Sequence, residues 1–195
     1  LTGIAFVSYR SDGSRSFLFH LTESAAALTH WGQIPSGYLD GTRWLHVAGS
    51  ALSVAPQMRE ACYRAAEEVR ARGGQVSLDP NLRPELVPPQ EIRSLCEPIV
   101  RLASVILPSG EEATALTGAA SPESAAEALL GRGARIVAIK RGAQGSTLYT
   151  PGGALDVPPF GVSEVDPTGA GDCYAAALLV ALKEGRPLAE AGAMA

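Results

Sequence analysis

The sequence predicts an α/β fold, a doubly wound, mainly parallel sheet with helices on both faces in an αβα sandwich. Three observations lead there. From Arg43 onward, short apolar runs alternate with stretches of helical periodicity, the signature of strands joined by right-handed helical crossovers. Each run closes on polar or glycine-rich residues, at positions 49–50, 79–83, 109–112 and 140–145, and ligands of such sheets collect beyond the carboxyl ends of the strands. Near the end, Gly169-Ala170-Gly171 opens into an apolar run over 173–182.

The predicted elements follow in order. Residues 3–8 and 15–20 are short runs rich in Val, Ile and Phe, and Ser11-Asp12-Gly13-Ser14 between them makes a hairpin. A helix is expected from Ala25 to Trp31, then a turn at Pro35-Ser36-Gly37. Residues 44–48 read as a buried strand. Pro56 starts a helix to about Arg72, with Met58, Cys62, Ala65 and Val69 on one face and Cys62 in the core. Gly73-Gly74 stops it, and the next strand covers 76–78. A second helix carries Ile92, Leu95, Ile99 and Leu102 on one face, with Pro98 expected to bend or split it. There follow a strand at 105–107, glycine-stopped helices at 111–117 and 122–130, a strand at 136–140, and antiparallel strands at 146–150 and 154–157. A single domain over 1–195 is expected, with residues 1–20 a hairpin at the sheet edge.

Composition narrows the function classes. With 46% apolar content in 195 residues the chain can build a good core. The net charge of −4 and the lack of a Lys/Arg run argue against a nucleic-acid partner, which usually demands a basic face. No apolar stretch reaches the roughly 18 residues that cross a bilayer, so no membrane partner is expected. Cys62, Cys96 and Cys173 show neither CxxC nor Cys/His spacing, which fits a reducing cytoplasm. His20, His30 and His46 lack ligand spacing and read as structural or surface residues. The sequence opens on Leu1-Thr2-Gly3 without an initiating Met and stops inside a helical pattern, so a chain incomplete at both ends is expected.

The chemistry concentrates in Asp166-Pro167-Thr168-Gly169-Ala170-Gly171-Asp172. A glycine-rich turn that opens a helix presents unpartnered amides at the positive end of the helix dipole, which is an anion site. Asp172 sets a carboxylate at the same place. Beside a phosphate it makes sense as a base that takes a proton from an attacking hydroxyl. The plainer alternative is an ordinary first-turn acid in a glycine-rich loop.

This seven-residue stretch resembles the C-terminal signature of the ribokinase-like (PfkB) carbohydrate kinases. The resemblance implies that Asp172 is the catalytic base and that Gly169, Ala170 and Gly171 form the anion hole. Asp79-Pro80-Asn81-Leu82-Arg83 is similar to the family's Asp-x-Asn-x-Arg stretch, which makes Asp79, Asn81 and Arg83 candidates for substrate or phosphate binding. Arg83 could hold a phosphate or a sugar-acid carboxylate in a bidentate fork, the alternative being a surface salt bridge. Pro108-Ser109-Gly110-Glu111-Glu112 resembles the Asn-x-x-Glu motif; Glu112 then organises Mg²⁺ through water, and Ser109, replacing the usual asparagine, faces the nucleotide. Its alternative is again a first-turn acid. Lys140-Arg141-Gly142-Ala143-Gln144-Gly145 looks like the family's ATP-contacting turn, so Lys140, Gly142 and Gly145 are nucleotide candidates, although Gly-x-x-Gly reads equally well as a hairpin turn. Asp166 and Thr168 stand where some relatives bind a monovalent cation such as K⁺.

The resemblance runs over the whole chain. It implies an ATP- and Mg²⁺-dependent transfer to a primary hydroxyl of a small sugar or sugar acid, and Arg15-Ser16-Phe17-Leu18-Phe19-His20 looks most like the 2-keto-3-deoxygluconate and ketose kinase branches. A homodimer of the full-length protein is compatible with it. It also implies that the N-terminal part, most of the lid and a terminal nucleotide-contacting segment lie outside the sequence. Rival readings are a nucleoside or vitamin kinase of the same fold, for which Tyr38, Trp44 and Tyr174 are the candidate stacking residues, and a non-catalytic nucleotide-binding module. A P-loop NTPase or dinucleotide oxidoreductase lacks its required glycine pattern here.

Overall fold

The computed structural model describes residues 1–9, 15–83 and 85–195. They form two compact units, Leu1–Ala103 and Ser104–Ala195.

The first unit opens with β1 (Ile4–Tyr9) and β2 (Arg15–His20), antiparallel in a register from Ile4 opposite His20 to Tyr9 opposite Arg15. The turn expected at residues 11–14 lies outside the described residues. Helix α1 (Ala25–Leu28) is capped by Ser24, whose hydroxyl accepts from the Ala27 amide. It ends before Trp31, because the Thr29 hydroxyl donates back to the Ala25 carbonyl and the Gln33 side chain accepts from the His30 amide, starting a separate 3₁₀ turn over Trp31–Gln33.

Strand β3 (Trp44–Ala48) pairs in parallel with β4 (Gln75–Asp79). Only Val47 of β3 is buried, against the expectation of a buried strand. Its Trp44 Nε1 donates to Ser77 Oγ at 3.0 Å, and His46 Nδ1 lies 2.9 Å from the same oxygen. This polar contact also satisfies Ser77, which is wholly buried in β4.

Between the expected strand and the helix from Pro56, residues with no element expected from the sequence make helix α2 (Gly49–Val54), broken from α3 (Pro56–Ala71) by extended Ala55 ahead of the proline. The buried seam of α3 is Ala61, Ala65, Ala66 and Val69, which keeps Ala65 and Val69 of the expected face and has Ala61 and Ala66 in place of Met58 and Cys62. Cys62 is therefore half-buried, enough for desolvation to push its thiol pKa up. Helix α4 (Pro89–Val100) buries Ile92, Cys96, Ile99 and Val100 and runs through Pro98 without splitting.

The second unit contains β5 (Val105–Ile106), α5 (Gly110–Thr117), α6 (Pro122–Gly131), β6 (Ile136–Lys140), β7 (Ser146–Thr150), β8 (Gly153–Val157), α7 (Ala170–Lys183) and α8 (Leu188–Met194). Strands β5 and β6 are parallel, while β6–β7 and β7–β8 are antiparallel. The core is built from Ile106, Leu107, Leu129, Val137, Ile139, Leu148 and Leu178. Helix α8 seats against the strands through Gly192, where an added Cβ would come within 2.6 Å of a Val157 methyl.

Gly49 is fixed by close approach. A Cβ there would lie 1.9 Å from the Pro80 carbonyl oxygen, so the start of α2 and the loop after β4 can touch only if residue 49 has no side chain. Gly49→Ala is expected to cost about 1–3 kcal/mol in unfolding free energy. Gly131→Ala, at a position with no atom within 4 Å of the new methyl, should leave the melting temperature unchanged or slightly raised.

Candidate active site

The residues singled out from the sequence fall into two sets, one per unit. In the first unit, Asp79 ends β4 in a buried position and its Oδ1 accepts from the Asn81 amide at 3.1 Å. Asn81 has φ 39°, the only non-glycine residue with positive φ among the described residues, and its short polar side chain makes it one of the residues that tolerate this region. The tight turn leads to half-buried Arg83. Arg83 Nη1 donates to the Leu82 carbonyl at 3.3 Å, and its Cζ lies 5.2 Å from the centroid of the Phe17 ring. The alternative of a surface salt bridge finds no carboxylate partner for Arg83 among the described residues.

In the second unit Ser109 is the N-cap of α5 and forms a reciprocal capping box with Glu112. The Ser109 amide donates to Glu112 Oε2 at 2.7 Å, and the Glu112 amide donates to Ser109 Oγ at 3.3 Å. Ser-x-x-Glu is a readable capping signal; it gives Ser109 a structural role and makes Glu112 more than the first-turn acid of the alternative reading. The donor chemistry still fits Mg²⁺. One carboxylate suits an ion that keeps several waters and shares phosphate oxygens, and among the described residues no cluster of three His, Cys, Asp or Glu forms a closed cage.

Ser109 bridges to Lys140, and the Lys140 amide donates to the Pro108 carbonyl at 2.9 Å. After Lys140, residues Gly142–Gln144 form a 3₁₀ turn. Arg141 closes it by donating to Asp156 Oδ1 at 3.1 Å, and the same carboxylate accepts from the Thr147 hydroxyl at 2.7 Å. That hydroxyl contact, with Arg141 adding to it, holds the Asp156 pKa below the usual carboxylate value. Gly145 (φ 82°) has its own packing reason, since a Cβ there would meet the Val157 carbonyl at 2.2 Å. Gly142 (φ 55°) faces open space.

The signature stretch forms the start of α7. Asp166 Oδ1 accepts from the Thr168 amide at 2.9 Å, and Gly169 is the N-cap in a left-handed conformation, φ 81°. The sequence reading placed the Gly-Ala-Gly turn ahead of the helix, but Ala170 and Gly171 are already its first two residues and Asp172 its third. The Ala170 amide donates to Pro167 at 3.1 Å. The amides of Gly171 and Asp172 remain at the helix end, where no intrahelical acceptor exists and glycine at the N-cap offers no side-chain one. The Asp172 carboxylate is exposed in the same turn.

Lys140 Nζ lies 3.7 Å from where a Cβ of Gly171 would be. Lys140 is a nucleotide candidate from the sequence, and no local sequence pattern reveals that its ammonium reaches α7. Trp44 and Tyr174, considered for stacking a base, are engaged with Ser77 and with Ser146, whose hydroxyl accepts from the Tyr174 hydroxyl at 2.9 Å.

The capping box gives a direct check on Glu112. Glu112→Ala is expected to lower stability by about 0.5–2 kcal/mol, while Glu112→Gln, which still offers an oxygen to the Ser109 amide, should retain most of it in a thermal melt.

The sequence matches the pfkB family carbohydrate kinase description over residues 1–195. It is 34% identical over 180 residues to fructokinase-1 of Oryza sativa, covering 91% of this chain and 55% of that protein. It is 30% identical over 186 residues to 2-dehydro-3-deoxygluconokinase of Bacillus subtilis, covering 94% and 57%. A double mutant of fructokinase from Vibrio cholerae, solved with fructose, ADP and potassium ion, superposes with a TM-score of 0.84 at 32% identity, over 96% of this chain and 63% of that one. The chain thus spans less than two thirds of each of these three relatives. The fold class is the ribokinase-like one expected from the sequence.

Proposed function

The chain belongs to the pfkB family of carbohydrate kinases, and from that premise we propose that it carries the phosphoryl-transfer machinery of an ATP-dependent kinase acting on a primary hydroxyl of a small sugar or sugar acid. The observation that carries this reading is the start of α7. Two open amides, on Gly171 and Asp172, the Lys140 ammonium and the Asp172 carboxylate occupy one helix end, and phosphoryl transfer needs an oxyanion cradle and a base in close proximity.

In this reading the γ-phosphoryl group lies against the Gly171 and Asp172 amides, which need not reorganise to meet developing negative charge. Gly169, left-handed and without a Cβ, keeps the approach clear. Asp172 orients the sugar hydroxyl and takes its proton as the bond from that oxygen to the γ-phosphorus forms and the bond from phosphorus to the bridging oxygen of ADP breaks. Mg²⁺, when bound with ATP, would neutralise phosphate charge and be held through water by the Glu112 carboxylate. Asp79 and Asn81 shape the loop that carries Arg83 toward an anionic group of substrate or nucleotide. Ser109, Gly142 and Gly145 belong to the nucleotide side, and Asp166 and Thr168 to a K⁺ site. The substrate candidates are fructose and 2-keto-3-deoxygluconate, the sugars in the names of the two relatives.

Asp172→Asn is the test. The variant should bind ATP within a few-fold of wild type while turnover falls by about 10²–10⁴-fold, followed as ADP release from the full-length protein. Turnover near the wild-type rate would remove Asp172 as the base.

A further inference from the structure

Phe17 and Arg83 form a contact that the reading above leaves unused. The register of the β1–β2 ribbon sets its two faces. Ala5 opposite Phe19 and Val7 opposite Phe17 share one face, and Phe6 opposite Leu18 with Ile4 opposite His20 share the other. Phe6 and Leu18 are 57% and 58% exposed, whereas Phe17 and Phe19 are half-buried. The Phe17 and Phe19 rings stack at 5.7 Å with planes 5° apart, and the Arg83 guanidinium lies over Phe17.

An arginine side chain is long and rotamer-rich, so an unsupported one must be ordered each time it binds. Contact with an aromatic face orders it in advance and leaves the N–H fork free for a planar anion. Arg83 spends one donor on the Leu82 carbonyl and, among the described residues, has no carboxylate partner. A half-buried guanidinium held by a ring, with no carboxylate against it among the described residues, is prepared for an oxyanion from elsewhere.

We propose that Phe17 is a positioning residue, which holds Arg83 ready to bind an oxyanion. The oxyanion is either the carboxylate of a sugar acid or the phosphoryl group in transfer. The inference rests on the kinase reading, and its test separates the two.

The full-length protein is compared with Phe17→Leu and Phe17→Tyr in ADP-release kinetics on 2-keto-3-deoxygluconate and fructose, together with the ring-current shift of the Arg83 Nε–H signal by NMR. Phe17→Leu should remove that shift and weaken the oxyanion step roughly 2- to 30-fold, and Phe17→Tyr should restore both. A higher KM confined to the sugar acid assigns the anion to the substrate carboxylate, and a lower kcat on both sugars assigns it to the phosphoryl group. Wild-type kinetics in Phe17→Leu, or equal losses in both variants with equally lowered melting temperatures, overturn the proposal. If wild-type protein phosphorylates neither sugar while Phe17→Leu still moves the Arg83 signal, the kinase reading falls and Arg83's oxyanion role falls with it, although the contact itself stands.

Discussion

An α-helix cannot satisfy its own first amides, and the start of α7 leaves them open in a particular way. A serine or threonine at the N-cap would close one of them with its hydroxyl, as Ser24, Ser109 and Ser121 do for α1, α5 and α6. Helix α7 has left-handed Gly169 there instead, with no side chain to offer. The Pro167 carbonyl takes up the Ala170 amide, and Gly171 and Asp172 are left to whatever approaches from outside. The same chain thus contains both the closed and the open solution to one physical problem, and the open one coincides with the carboxylate and the ammonium.

The rest of the second unit supports that end. Helix α7 is anchored by buried Ala175, Leu178 and Ala181, and Tyr174 ties its first half to Ser146 on β7. Strand β6 delivers Lys140, whose backbone is held to Pro108 beside the Ser109–Glu112 capping box. Packing of apolar side chains, two caps and a closed turn therefore fix the polar groups in place. In the first unit Gly49 plays the comparable role for the Asp79 to Arg83 loop, through its contact with Pro80.

Much of this was legible in the sequence. Strand β6 and strand β7 fall at the expected residues, and the antiparallel pair after them follows from the turn residues. The pairing of the first two strands was readable from their runs of Val, Ile and Phe. Helix α2 was not, because six residues beginning with glycine carry no period to read. Nor was the shift of the α3 seam, since three alanines at 61, 65 and 66 let the helix pack on a face that larger side chains would not choose. In the site, glycine pattern and Asp172 gave the helix end, but the free amide of Asp172, the reach of Lys140 and the stacking of Arg83 on Phe17 depend on tertiary placement that no local pattern encodes.

The central claim is that the open amides at the start of α7 receive the transferring phosphoryl group. A crystal structure of the full-length protein with ADP, Mg²⁺, sugar and aluminium fluoride as the phosphoryl mimic tests it directly. The mimic is expected within hydrogen-bond distance of the Gly171 and Asp172 amides, with the sugar hydroxyl against the Asp172 carboxylate. A mimic bound in line between nucleotide and sugar but away from both amides would contradict the account.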